Sequence, residues 1–222
     1  MKNQTPLPVS RSKQQAREYY SSISRFYDLM SGGAEARFRE EAIRRLELQA
    51  GETILEIGIG TGRGLRSAVE SAGPAGRAVG VDLSDGMLAV AKKYLTKAGL
   101  AERTVLLGAD GAALPIRAGF FDAAFMSFTL ELFNAAEIPA VLGECRRVLK
   151  ADGRLAVVCM ALAPDPNWMS RLYTAMHSAF PVWVDCRPID ARPEMETAGF
   201  SVTYASRGSM FSLPVDIVIA RK

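Results

Sequence analysis

Four glycines fall within the stretch Ile54-Leu55-Glu56-Ile57-Gly58-Ile59-Gly60-Thr61-Gly62-Arg63-Gly64, directly after a short apolar run and directly before a helical pattern. Glycine tolerates positive φ and lets the backbone come close to a ligand, and the first N–H groups of the helix that follows need an acceptor. A strand, turn and helix of this kind predict an open α/β sheet that binds its ligand at the carboxyl edge. The dinucleotide fingerprint G-x-G-x-x-G does not fit. Begun at Gly58 it needs glycine where Arg63 stands, and begun at Gly60 it needs glycine where Leu65 stands. Asp82 closes the second expected strand, where a carboxylate can accept both hydroxyls of a ribose. Glycine turn and carboxylate together predict an adenosine-type ligand.

Downstream, apolar runs alternate with amphipathic stretches, the pattern of right-handed βαβ units. Strands are expected at Thr53–Ile57, Ala78–Asp82, Thr104–Leu107, Phe121–Ser127 and Arg154–Met160, with helices at Gly64–Glu70, Asp85–Lys97 and Glu137–Lys150. Ser84 is the expected N-cap of the second helix, and Asn134 with Glu137 gives a capping-box start to the third. Ahead of the sheet, Ile23, Phe26, Tyr27, Met30, Phe38, Ala42, Ile43 and Leu46 recur at helical spacing and predict a helical cap broken at Ser31-Gly32-Gly33. Ser201–Ser206 and Phe211–Ala220 predict a closing hairpin turned at Arg207-Gly208-Ser209. The expected fold is a single Rossmann-like, doubly wound α/β domain. Its seven-stranded sheet is mostly parallel, with an antiparallel C-terminal strand and an N-terminal helical cap. The chain divides into cap 1–50, binding core 51–160, covering insertion 161–196 and C-terminal hairpin 197–222.

Charge narrows the function classes. The 222 residues carry 27 Lys and Arg against 24 Asp and Glu, a net +3, and the basic residues cluster no more densely than pairs such as Arg44-Arg45. Nucleic-acid binding gains no support from this pattern. Cys145, Cys159 and Cys186 are odd in number and lack C-x-x-C spacing, and His177 is the sole histidine, so neither a disulfide framework nor a metal site is expected. The longest apolar run, Leu155–Ala163, is far short of the roughly 20 residues of a membrane span, and Met1–Tyr20 holds no apolar signal core. A cytoplasmic protein without a transmembrane segment is expected, with peripheral membrane contact left open.

The segment Leu55–Gly62 resembles motif I of the class I S-adenosylmethionine-dependent methyltransferases. Gly80-Val81-Asp82-Leu83-Ser84 with Met87 resembles the family's ribose and adenine segment, and Gly108-Ala109-Asp110-Gly111-Ala112 its adenine-edge segment. Arg147–Leu155 resembles its R-V-L-K-P-G-G-x-L entry to strand five, with Ala151 in place of proline and Asp152 in place of glycine. Phe26-Tyr27-Asp28 ahead of motif I makes the chain similar to the branch holding ubiquinone, menaquinone and phospholipid methyltransferases. The resemblance implies S-adenosyl-L-methionine as cofactor and in-line methyl transfer to a small-molecule or lipid-like acceptor. It implies loop contacts at Gly58, Gly60, Thr61 and Gly62, with Glu56 orienting the loop or reaching the methionine amino group. Asp82 would hold the ribose, Leu83 and Met87 the adenine face, and Asp110 with the Gly111 amide the adenine edge. Ser127 would lie beside the methionine moiety, Tyr27 would close over the cofactor, and the insertion would cover the acceptor.

Such a displacement needs alignment and exclusion of water rather than a metal or a covalent nucleophile. If the acceptor must lose a proton, the expected bases are His177, Asp185 or a tyrosine. A lone histidine such as His177 is more often a surface or packing residue, and Asp185 with Arg187 reads equally as a structural ion pair. Strand four ends in Met126-Ser127-Phe128-Thr129 rather than Asn/Asp-Pro-Pro-aromatic, which argues against amide or base-amine acceptors in protein or DNA. Two alternatives stand beside this reading. A nicotinamide oxidoreductase is disfavoured by Arg63 and by the lack of any Tyr-x-x-x-Lys, and a non-catalytic cofactor-binding regulatory protein shares the fold without the chemistry.

Overall fold

The computed structural model describes residues 11–24, 32–162 and 187–222. Its strands are β1 Thr53–Ile57, β2 Arg77–Asp82, β3 Thr104–Gly108, β4 Phe121–Ser127, β5 Leu149–Met160, β6 Ser201–Met210 and β7 Leu213–Arg221. They form one seven-stranded sheet in the order β3-β2-β1-β4-β5-β7-β6. Strands β1 to β5 are mutually parallel, and β7 pairs antiparallel with both β5 and β6, so β7 alone runs against the rest. The expected doubly wound topology is therefore present. Chain order reverses between β1 and β4, and that switch point opens a crevice at their carboxyl ends.

The helices among the described residues are α1 Lys13–Ile23, α2 Gly32–Arg45, α3 Arg63–Ser71, α4 Asp85–Lys97, α5 Ile138–Val148 and α6 Ala191–Thr197. On one face of the sheet, Ile54, Phe125, Val158 and Ile217 pack with Phe38 and Ile43 of α2, Leu65 and Val69 of α3, and Leu95 of α4. On the other, Leu55, Met126, Val157 and Val218 pack with Val141, Leu142 and Val148 of α5 and Met195 of α6. Neighbouring strand residues thus enter opposite cores. Because helices cover both faces, β1, β4 and β5 read as nearly continuous apolar runs instead of alternating ones. Helix α1 differs from the others in burying no residue.

Several boundaries differ from expectation. Gly32 and Gly33 lie in the first turn of α2, and the interval 25–31, with Ser31 of the expected break, lies outside the described residues. Strand β5 begins at Leu149 rather than Arg154, because Leu149 pairs with Phe121 ahead of a register shift, and α5 accordingly stops at Val148. The N-cap of α5 is Glu137. Its carboxylate accepts the Asn134 N–H at 3.2 Å, which is only the returning half of a capping box. The hairpin turns at Phe211 and Ser212, with φ of 50° and 65°, and the expected turn residues 207–209 lie within β6. Two successive positive φ values match the twist of flanking strands. Gly208 answers a packing need, since a β-carbon there would stand 2.6 Å from Phe38 Cε1. The end of the expected insertion is core wall: Ile189 bridges to Ala161, and α6 buries Ala191 and Met195. Tyr27, His177 and Asp185 lie outside the described residues.

Candidate active site

Strand β1 delivers Glu56 and then the glycine turn, where Gly58, Gly60 and Gly62 have φ of 73°, 52° and 86°. The turn is held by β2. Gly58 N–H and Ile59 N–H donate to Val81 O at 2.8 and 3.1 Å, and Gly60 N–H donates to Asp82 Oδ2 at 2.9 Å. The glycines serve different ends. A β-carbon on Gly58 would stand 2.3 Å from Thr129 Oγ1 and one on Gly62 3.1 Å from Ala91 Cβ, whereas one on Gly60 would meet nothing within 4 Å. Gly60 is open to a cavity at the switch point, and Gly58, Thr61, Glu56, Asp82, Leu83, Met87, Gly111 and Ser127 line the same cavity. Gly62 and Asp110 do not.

Asp82 accepts Gly60 N–H on one oxygen and Ser84 N–H on the other, both at 2.9 Å, and the carboxylate keeps acceptor capacity beyond its backbone donors. Burial raises the pKa of its carboxyl, while N–H donors from Ser84, Gly60 and Leu83 work against the rise. Ser84 caps α4 as expected, accepting Met87 N–H at 3.1 Å and so fixing Met87 beside the cavity. Asp110 is engaged elsewhere. Its carboxylate accepts Ala112 N–H at 2.9 Å and pairs with Lys13 Nζ of α1 at 2.5 Å, and Lys13 also reaches Glu137 at 2.6 Å. Arg17 with Asp85 at 2.5 Å and Ser21 Oγ with Ser84 Oγ at 2.9 Å complete the attachment of α1 across the cavity, which Lys13 and Tyr20 help line. Among the described residues, Tyr20 is the tyrosine that lines the cavity.

A second group of charges gathers near Glu56. Glu56 is 2% exposed, its Oε2 is buried without a hydrogen-bond partner, and Arg39 Nε of α2 is in the same condition. Burial pushes the Glu56 carboxyl well above the usual range, with the Arg39 charge opposing. One helical turn before Arg39, burial pushes Glu35 up to about 7, again opposed by Arg39, and both residues line the cavity. Glu131, in the short 3-10 turn after β4, is fully buried. One of its oxygens accepts Met160 N–H at 3.0 Å and the other has no partner, and burial raises it to about 8, with Arg187 opposing. Arg187 donates its Nε and Nη2 to Phe133 O at 3.2 and 2.7 Å. Of the three carboxyls, the sequence marks only Glu56 as a site residue. Glu35 and Arg39 sit in the run Glu35-Ala36-Arg37-Phe38-Arg39-Glu40-Glu41, which reads as a solvated helix face, and their spacing of four was the one signal that they share a side.

The cavity therefore offers an unpaired buried carboxylate oxygen for a cation at one end, the remaining acceptor capacity of Asp82 midway, and Met87 with Gly111 at the other. That donor set fits an amino acid joined to a ribose and an adenine. Among the described residues no cluster of His, Cys, Asp or Glu could hold a metal ion, and no helix is long and apolar enough to cross a membrane.

Residues 54–153 match a family described as "Methyltransferase domain". The ubiquinone/menaquinone biosynthesis C-methyltransferase UbiE of Pseudomonas fluorescens is 31% identical over 178 residues, covering 78% of this chain and 68% of the relative. The corresponding protein of Pseudomonas putida is 30% identical over the same shares. Among solved structures, a SAM-dependent methyltransferase from Aquifex aeolicus superposes with a TM-score of 0.65 at 20% identity, over 90% of this chain and 97% of that one. The [4+2]-cyclase SpnF superposes with a TM-score of 0.75 at 19% identity, over 99% of each, a likeness of fold. Neither the nicotinamide nor the non-catalytic alternative gains support from these relatives. With its glycine turn, its Asp82 and its sheet order, the chain belongs to the class I S-adenosyl-L-methionine-dependent methyltransferases, in the ubiquinone/menaquinone branch.

Proposed function

We propose that the enzyme methylates a ring carbon of a small, lipophilic, quinol-type acceptor. The observation that carries the acceptor class is the apolar cavity wall after β4, where Phe128 follows Ser127 and Leu132 and Phe133 also line the cavity, Phe133 on the Gly111 side. The names of the UbiE relatives, C-methyltransferases of ubiquinone and menaquinone biosynthesis, agree with it.

When bound, the cofactor supplies an electrophilic methyl group whose carbon–sulfur bond breaks with its electron pair left on sulfur. The chain's own residues hold and enclose. Glu56 Oε2 takes the methionine ammonium, which compensates the burial of its charge. Asp82 accepts from the ribose hydroxyls, Leu83 and Met87 flank the adenine, and the Gly111 N–H meets its edge. Gly58, Thr61, Gly62 and Ser127 shape the turn and the wall around the methionine moiety. Asp110, through Lys13, fastens α1 over the site, and Tyr20 closes it from the cap. His177 and Asp185, outside the described residues, stay candidates for proton transfer. A chain of this kind works in the cytoplasm and meets a membrane-dissolved acceptor at the lipid surface.

The test is methyl incorporation from labelled cofactor into a reduced, short-prenyl demethylnaphthoquinone, run beside a simple phenol and phosphatidylethanolamine vesicles. Label on the quinol ring is expected. Label confined to the phenol oxygen or the lipid amine would overturn the acceptor class.

A further inference from the structure

We propose that Glu35, presented by the cap helix α2, is the proton acceptor for the ring hydroxyl of the methyl acceptor; this rests on the quinol-type reading above. Three carboxyls gather at the Glu56 end of the cavity, and the structure separates their tasks. Glu56 has its unpaired oxygen where a cation is needed. Glu131 is 0% exposed and does not line the cavity, so it cannot touch an acceptor. Glu35 does line it, and its carboxyl accepts no hydrogen bond from a described residue.

Its position follows from the helix. Arg39 lies four residues on, on the same side of α2, and its Cδ stands 3.0 Å from where a β-carbon on Gly64 would be, the same point that Glu56 Oε1 approaches. Glu35 therefore lines the same cavity as Glu56, Ser127 and Phe128, shares the Arg39 charge with Glu56, and is near enough to the buried Glu131 for its charge to be felt there. The charges around it are Arg39 and Glu40 from α2, Glu56 from β1, Glu131 from the turn after β4, and Arg187 behind that turn. Burial with one partial counter-charge leaves Glu35 near 7, so a large fraction is ionised at neutral pH and basic enough to draw a phenolic proton.

The proton moves between the acceptor and Glu35, and the methyl group comes from the sulfonium. The acceptor O–H bond breaks and its proton joins a Glu35 oxygen, while the electron pair stays on the phenolate and is shared with the adjacent ring carbon. That carbon forms the new bond to methyl as the methyl–sulfur bond breaks with its electron pair left on sulfur; the ring carbon then sheds its hydrogen as a proton as aromaticity returns, and Glu35 gives its proton back to the oxygen. One proton leaves for each methyl gained.

The experiment compares wild type, Glu35→Gln and Glu35→Asp with the short-prenyl demethylnaphthoquinol as acceptor. It measures kcat, its pH profile, and Kd for the demethylated cofactor. The expected result is a loss of about a hundredfold or more in kcat for Glu35→Gln, disappearance of the ionisation near neutrality from its profile, unchanged Kd, and partial recovery in Glu35→Asp. Full turnover with an unaltered profile in Glu35→Gln overturns the assignment while leaving the acceptor class standing. No transfer to the quinol by wild type overturns the acceptor class and this proposal with it.

Discussion

The Asp82 carboxylate accepts the Gly60 N–H at 2.9 Å, so the end of β2 fixes the shape of the turn that leaves β1. One side chain thus both builds the turn and offers its remaining acceptor capacity to the cavity. Asp82→Ala should weaken binding of the cofactor and of its demethylated product by about 1.5–3 kcal/mol, through lost charge-assisted bonds and a looser turn. Asp82→Asn, which keeps one good acceptor oxygen, should fall between. Calorimetric titration reads the effect, and an unchanged Kd in a folded Asp82→Ala protein would place the ribose elsewhere.

Gly58 and Gly60 should fail differently when substituted. A β-carbon on Gly58 would meet Thr129 at 2.3 Å from Oγ1 and 2.9 Å from Cβ, at a φ of 73°. Gly58→Ala should therefore lower stability by about 2–4 kcal/mol, combining overpacking with left-handed strain, and Thr129→Gly in the same chain should restore part of it. Gly60→Ala meets no atom within 4 Å and carries only the backbone strain, roughly 1 kcal/mol. Its cost should appear in cofactor affinity, because the new methyl group enters the cavity. Thermal unfolding and calorimetry together separate the two, and wild-type affinity in Gly60→Ala would mean that the ligand does not approach this turn.

What was legible in the sequence follows from how local each determinant is. The turn after β1 and Asp82 were legible because glycine spacing and a strand-end carboxylate are encoded within a few residues, and both faces of the sheet leave apolar runs that mark β1, β4 and β5. Gly208 misled because a glycine required by Phe38 across a tertiary contact looks like a turn glycine in sequence. Phe211 and Ser212 hid the real turn, since neither is a residue that ordinarily takes positive φ. Asp110 was read as a ligand contact, and its ion pair with Lys13 joins residues 97 positions apart, beyond the reach of any spacing rule. Glu35 and Glu131 were invisible for the same reason: their burial is made by other elements.

Helix α1 is fastened by charge rather than by apolar burial. It buries no residue and is held by Lys13 to Asp110 and Glu137 and by Arg17 to Asp85. Pairs this exposed are screened by salt, with a Debye length of about 10 Å at 0.1 M falling to roughly 3 Å at 1 M. Dissociation of the bound cofactor should accordingly speed up as salt rises, and Lys13→Ala with Arg17→Ala should release it fast at low salt with little further salt dependence. Stopped-flow release of the demethylated product measures this. A salt response that persists undiminished in the double variant would show that α1 is not the latch.

Glu131 makes a prediction about stability against pH. Its carboxyl is raised from the ordinary 4.5 to about 8 by burial, so between those values the folded chain holds a proton that the unfolded chain has lost. The stability from this group is then complete below about pH 4.5, declines as pH rises toward about 8, and is flat above. Glu35, raised to about 7, adds a decline of the same sign over a narrower window. Glu131→Gln keeps an oxygen to accept the Met160 N–H but cannot ionise, so its melting temperature should fall less steeply than wild type between pH 5 and 8, and Glu131→Gln with Glu35→Gln should be flatter still. Melting curves taken across that range decide it. A Glu131→Gln protein whose melting temperature tracks wild type at every pH would mean that Glu131 is already ionised in the fold, with Arg187 rather than a proton neutralising it.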